Sequence, residues 1–183
     1  MRQRGKRTSR SLDATGLWEL ALKALGGRAY SAGDLRRKLQ ARAKNQEDVT
    51  AILARLKEYR YLDDRRFAEN YAAARLESQR LGKNRVAQEL RRRRVAPSLA
   101  EAAVELTYGQ TDEVPLIEAF IRRKYRTTSP GELFQDEKQL ASAYRRLMRA
   151  GFNSGNVIRA LKRFAANPEL LDQAEPPPEM SQE

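Results

Sequence analysis

Leu35-Arg36-Arg37-Lys38-Leu39 returns as Val86-Ala87-Gln88-Glu89-Leu90, 51 residues on, and again as Ala143-Tyr144-Arg145-Arg146-Leu147, a further 57 residues along. Each time two apolar side chains four positions apart enclose three others, a spacing that sets the apolar pair on one helix face. At the second offset Val95 falls on Phe152, Ala103 on Ala160 and Val104 on Leu161, so the likeness runs past a single helix. The chain is therefore read as a repeat of about fifty residues whose middle helix carries the motif.

Working outward, the helix before the first motif presents Leu17, Leu20, Ala21, Ala24 and Leu25, and Gly26-Gly27 offers a left-handed end. Ser31 is placed to cap the motif helix, with Asp34 at the capping-box position. Val49, Ile52, Leu53 and Leu56 then mark a third helix from about Glu47 to Tyr59. The second round opens with a helix bearing Phe67, Ala68, Tyr71 and Leu76, breaks at Gly82, and closes with a helix introduced by Pro97. A third begins near Asp112 with Leu116, Ile117, Phe120 and Ile121, and finishes with Val157, Ile158, Leu161 and Phe164. No stretch sustains the alternation of a strand. The expectation is an all-α fold, an elongated array of three tandem three-helix modules over residues 15–62, 63–110 and 111–165. Modules this small gain stability by stacking on their neighbours.

Outside the array lie a basic arm, residues 1–14, and an acidic tail, residues 166–183, both expected to be disordered for want of apolar surface. The tail also contains Pro176-Pro177-Pro178. The 183 residues hold 36 Lys and Arg against 24 Asp and Glu, a net charge of +12. That surplus biases the partners toward polyanions and acidic protein surfaces. Without cysteine or histidine there is no thiol nucleophile, imidazole base, disulfide or thiolate metal site. No enzyme activity and no cofactor are expected. No run approaches a membrane span, and the basic arm is followed by no apolar signal segment. A cytoplasmic monomer is expected.

Three local features bear on binding. In Tyr61-Leu62-Asp63-Asp64-Arg65-Arg66-Phe67-Ala68, the paired aspartates read first as a helix cap, and second as a contact with a partner or a metal. Tyr61, Phe67 and Tyr71 read as core staples between the first two modules, with base stacking as the alternative. Gly82, followed by Lys83 and Arg85, reads as a turn or as an anion-binding helix start. Arg91-Arg92-Arg93-Arg94 repel one another, which a surface tolerates best when it meets negative charge. With Arg36, Arg37, Lys38 and Arg42 before them, and Arg145, Arg146 and Arg149 after, they would form a cationic strip. Arg122, Arg123 and Lys124 add a further cluster.

These residues resemble the RecX family of bacterial recombination regulators, over about residues 15–165. The Tyr61–Ala68 block is similar to the family's Tyr-hydrophobic-Asp-Asp-x-x-Phe-Ala junction. Ser31-x-x-Asp34-Leu35-x-x-Lys38-Leu39 resembles its first motif helix, and Gly82-x-x-Arg85-Val86-x-x-Glu89-Leu90 its second. Gly151-Phe152, with Val157 and Leu161 behind, resembles its closing block. Arg60 and Arg94 stand where the family commonly has glycine, and Asp34 where it has glutamate. The resemblance implies an all-helical crescent lodged in the groove of a RecA filament on single-stranded DNA, inhibiting ATP hydrolysis and strand exchange and modulating the SOS response. A direct DNA-binding protein, architectural or transcriptional, is the alternative.

Overall fold

The structure, a computed structural model, describes residues 11–126 and 133–171; the expectations for the rest of the basic arm and of the tail lie outside them. Among the described residues the fold is all-α. The helices are α1 (Ala14–Gly27), α2 (Ala32–Gln40), α3 (Gln46–Glu58), α4 (Asp64–Gln79), α5 (Lys83–Arg92), α6 (Pro97–Tyr108), α7 (Glu113–Tyr125), α8 (Glu137–Arg149) and α9 (Ser154–Phe164). A 3-10 turn, Pro168–Leu171, follows. The three motif copies fall on α2, α5 and α8, so the sequence repeat is also a repeat of helical elements. None of the described helices is long and apolar enough to cross a membrane.

Polar side chains start most of these helices. Asp13, Asn45, Asp112, Asp136 and Asn153 each accept a hydrogen bond from a backbone N–H of the first turn that would otherwise be unpaired. Ser31 Oγ accepts from Asp34 N–H at 3.0 Å. The expected capping box is only half formed, because the Asp34 carboxylate turns to Arg94 instead.

The helix ends repeat a second device. At Arg60, Arg94 and Gly151 the chain enters the left-handed region, with φ of 57°, 58° and 89°. In each case the next N–H reaches back to the helix: Tyr61 to the Leu56 carbonyl, Val95 to Leu90 and Phe152 to Leu147. An L side chain there costs about 1–2 kcal/mol, so the two arginines fill positions that suit glycine. Gly26 and Gly27 do not supply such an end. They lie inside α1, and the chain leaves through Arg28 in an extended conformation. A Cβ at Gly26 would meet nothing within 4 Å. Gly26→Ala is therefore expected to stabilise the protein by about 0.5–1 kcal/mol, read as a shifted urea midpoint.

The chain forms two compact units. The first takes the chain up to Asn70 together with Leu90–Ala100; the second takes Tyr71–Glu89 and the chain from Glu101 onward. In the first, α1 and α2 pack on α3 around Leu17, Leu35, Leu39, Leu53 and Leu56. Its chain is tied down before α1 begins, since Leu12 exchanges hydrogen bonds with Arg42 and Lys44. Residues 11–14 thus belong to folded structure rather than to the arm. In the second unit α7 and α8 pack on α9 around Ile117, Ile121, Leu147, Phe152, Leu161 and Phe164. Leu171 is buried with them, so this core extends past residue 165.

Also in the second unit, the start of α5 rests on the turn after α8. Gly82 N–H donates to the Ala150 carbonyl at 2.9 Å and Asn84 N–H to that of Gly151 at 3.2 Å. A Cβ on Gly82 would lie closer than 3.0 Å to the Gly151 and Phe152 backbone, and one on Gly151 equally close to Arg85. Carbonyls of the turn after α8 thus occupy two of the N–H groups at the helix start that follows Gly82.

Candidate functional site

Within the first unit the motif helix and the arginine run come together. A concavity of about 570 Å³ is lined by Arg37, Lys38 and Arg42, by Arg92 and Arg94, and by Arg28 and Tyr30 from the turn before α2. Among the described residues Asp34 is the one carboxylate in this lining, and it is engaged by Arg94 at 3.1 Å and Arg93 at 3.8 Å. The remaining cations face a shared space. Arg42 Nε is buried without a hydrogen-bond partner among the described residues. Tyr30 stands in the wall with the Arg28 guanidinium 4.2 Å from its ring centre and Lys38 Nζ 5.8 Å away. Hydrogen bonding to Arg28 first, and the charges of Lys38 and Arg28, hold the Tyr30 phenol below its usual pKa.

Local structure explains how the arginine run is presented. α5 ends at Arg92, so Arg93 and Arg94 occupy the turn beyond it. Ser31 Oγ donates to the Arg93 carbonyl, and the Arg94 Cβ and carbonyl sit where a side chain at Gly33 would be. Only backbone at position 33 permits that approach. Arg36 and Arg91 are exposed on the first unit but do not line the concavity.

The junction aspartates divide the labour of capping. Asp63 accepts from Arg66 N–H at 3.0 Å and caps α4. Asp64 instead accepts from Ala32 N–H at 2.7 Å, closing the start of α2 across 32 residues of chain. Asp64→Ala is expected to cost about 1–2 kcal/mol in urea unfolding, and Asp64→Asn, which keeps an acceptor, distinctly less. Tyr61 corrects the sequence reading. It is 58% exposed, because the left-handed turn at Arg60 gives the inward position to Leu62. Phe67 is half-buried.

The second unit treats its basic residues differently. Arg85 and Arg75 both pair with Glu89 at 3.0 Å, and Tyr71 donates its hydroxyl to the same carboxylate at 2.7 Å. Burial pushes the Glu89 carboxyl up, but the hydrogen bonds from Tyr71 and Arg85 and the charges of Arg75 and Arg85 outweigh it, leaving the pKa lowered. A depressed carboxylate stabilises the fold above its unfolded pKa and loses that contribution as pH falls through the native value. Wild type should accordingly lose stability in that acid range, and Glu89→Gln, weaker at neutral pH, should show a flatter profile in urea midpoints measured from pH 6 to 3. Arg122 pairs with Glu118 and lies over Phe164, Arg123 over Phe120, and Arg146 over Tyr125. Lys83, Lys124, Arg145 and Arg149 are exposed on this unit. Among the described residues no group of three or more His, Cys, Asp or Glu could hold a metal.

Arg28 and Tyr30 were not anticipated as part of the site. Their signal was faint: an arginine and a ring two residues apart, just before a capped basic helix.

Residues 63–104 match the family model described as RecX, second three-helix domain. Regulatory protein RecX of Trichlorobacter lovleyi is 35% identical over 141 residues, which are 77% of this chain and 90% of that protein. That of Deinococcus radiodurans is 32% identical over 147 residues, covering 79% of this chain and 66% of the relative. The crystal structure of RecX from Lactobacillus salivarius shares the fold, with a TM-score of 0.63 at 16% identity over 82% of this chain and 96% of that one. A second crystal structure, of a regulatory protein RecX, gives 0.65 at 18% identity, over 81% of this chain and 71% of that one. With more than a third of aligned positions identical across nearly the full length of the Trichlorobacter protein, this chain belongs to the RecX family of regulatory proteins.

Proposed function

We propose that the protein binds a RecA-type recombinase filament on single-stranded DNA, lowers its ATP hydrolysis and strand exchange, and so modulates recombination, DNA repair and the SOS response. The three helical rounds, residues 15–62, 63–110 and 111–165, act as tandem binding modules, and no step requires a catalytic group. The observation that supports this reading best is the concavity of the first unit. Arg37, Lys38 and Arg42 of the α2 region share it with Arg92 and Arg94, and Asp34 is the one carboxylate among the described residues that line it. Arginine forks suit both phosphate oxygens and carboxylates, the two kinds of negative group a nucleoprotein filament offers. Lys83, Lys124, Arg145 and Arg149 extend the positive surface on the second unit, while Arg85, Arg122, Arg123 and Arg146 add positive potential from within their own pairings.

The test is ATP hydrolysis by the cognate recombinase on single-stranded DNA, titrated with the protein at several salt concentrations. Inhibition that saturates, and that weakens as salt rises, is the expected result. Full ATPase activity in a large molar excess would defeat the proposal. If naked duplex is bound tightly in the same buffers, the protein is better read as an architectural or transcriptional DNA binder.

A further inference from the structure

The first unit carries a second concavity that basic chemistry does not explain. It is a groove of about 510 Å³ whose walls are apolar: Leu22 and Leu25 of α1, Phe67 of α4, and the rings of Tyr30 and Tyr61. Leu22 is 39% exposed and Tyr61 58%, unusual values for large apolar side chains lining a common space. From Tyr61 an aromatic series leads away, edge to face, to Tyr59 and then Trp18, with centroid separations of 6.3 Å at each step. Arg55 lies over both Trp18, at 4.5 Å, and Tyr59, at 5.3 Å. Trp18, Tyr59 and Arg55 lie outside the groove's lining and connect to it through Tyr61, and aromatic and arginine side chains beside an apolar pocket are enriched at protein-binding hot spots.

Charge at the rim narrows the occupant. Arg60 and Arg66 border the groove, and the one carboxylate there among the described residues, Asp63, has an oxygen committed to capping α4. Arg60 holds its place in a left-handed conformation, with φ of 57°. Glycine would make that turn at less cost, so the arginine contributes something the turn itself does not need. Asn70, exposed at the groove, offers amide donors and an acceptor to a peptide backbone.

We infer that this groove docks a segment of a partner protein that inserts an apolar side chain between Leu22 and Tyr61 and sets flanking carboxylates against Arg60 and Arg66. The site is distinct from the cationic concavity, where phosphates are proposed to bind, although Tyr30 lines both. Its occupant is a peptide, and it does not depend on the recombinase reading.

The test is a selection from a random dodecapeptide library on the full chain, followed by fluorescence anisotropy of the enriched peptides against wild type, Leu22→Glu and Tyr61→Ala. Both side chains are substantially exposed, and matching circular-dichroism melts establish that the variants are folded. The expected result is enrichment of peptides carrying a leucine- or phenylalanine-sized anchor flanked by Asp or Glu, with affinity at least tenfold weaker for Leu22→Glu. A labelled twenty-residue oligo-dT, measured in parallel, should bind all three proteins alike. No enrichment, enrichment of basic peptides, or peptides that bind Leu22→Glu as well as wild type would overturn the inference. Loss of oligo-dT affinity in Tyr61→Ala would do so as well, assigning the aromatic series to base stacking.

Discussion

Gly151→Ala is expected to lower the thermal midpoint by on the order of 10 °C. Two costs combine. The residue sits at φ of 89°, where a Cβ is strained, and that Cβ would fall within 3.0 Å of the Arg85 backbone. The conformational part is about 1–2 kcal/mol and the steric part is of similar size. A loss of about 3 kcal/mol in a chain of this length corresponds to a shift of that order. Gly82→Ala attacks the same contact from the other side and should behave alike, since its Cβ would meet the Gly151 backbone. The check is a pair of circular-dichroism melts beside Gly26→Ala, which adds the same methyl group in open space. Midpoints for Gly151→Ala within 2 °C of wild type would mean that the turn after α8 yields easily.

The largest expected effect on function comes from reversing charge in the cationic concavity. Arg37→Glu with Arg92→Glu should raise the concentration needed for half-inhibition of the recombinase by about tenfold or more, and reduce the slope of its dependence on salt. Both side chains are exposed, so helicity and melting should hardly change. Arg94 is a poorer choice for this experiment. Its side chain pairs with Asp34 and its backbone packs on Gly33, so a change there mixes binding with folding. Inhibition by the double variant equal to that of wild type would remove the concavity from the mechanism.

Much of the architecture was legible because helices announce themselves locally. Apolar spacing located all nine described helices, and Ser31 and Asp63 cap where their positions suggested. What sequence could not reveal were choices made by the rest of the fold. Asp64 looked interchangeable with Asp63, yet it closes a helix that begins 32 residues earlier. Tyr61 looked like a core ring, and one left-handed residue before it turned it outward. Arg60 and Arg94 adopt a left-handed backbone that suits glycine, which propensity alone argues against. Among the basic residues the sequence treats all arginines as equal. The structure separates those that share open space, such as Arg37 and Arg92, from Arg85, already held by Glu89. Arg28 and Tyr30 gain their place only from the turn that brings them beside α2.

The division of the chain at residues 70, 89 and 100 has a practical corollary for anyone wishing to cut this protein into pieces. Because the backbone passes from one unit to the other three times, a single protease nick leaves the halves covalently joined. Excising the middle triplet of helices would take residues 90–100 out of the first unit and residues 71–89 out of the second. Such a fragment would be a poor expression target, and co-expressed complementary fragments the better route to dissecting the molecule.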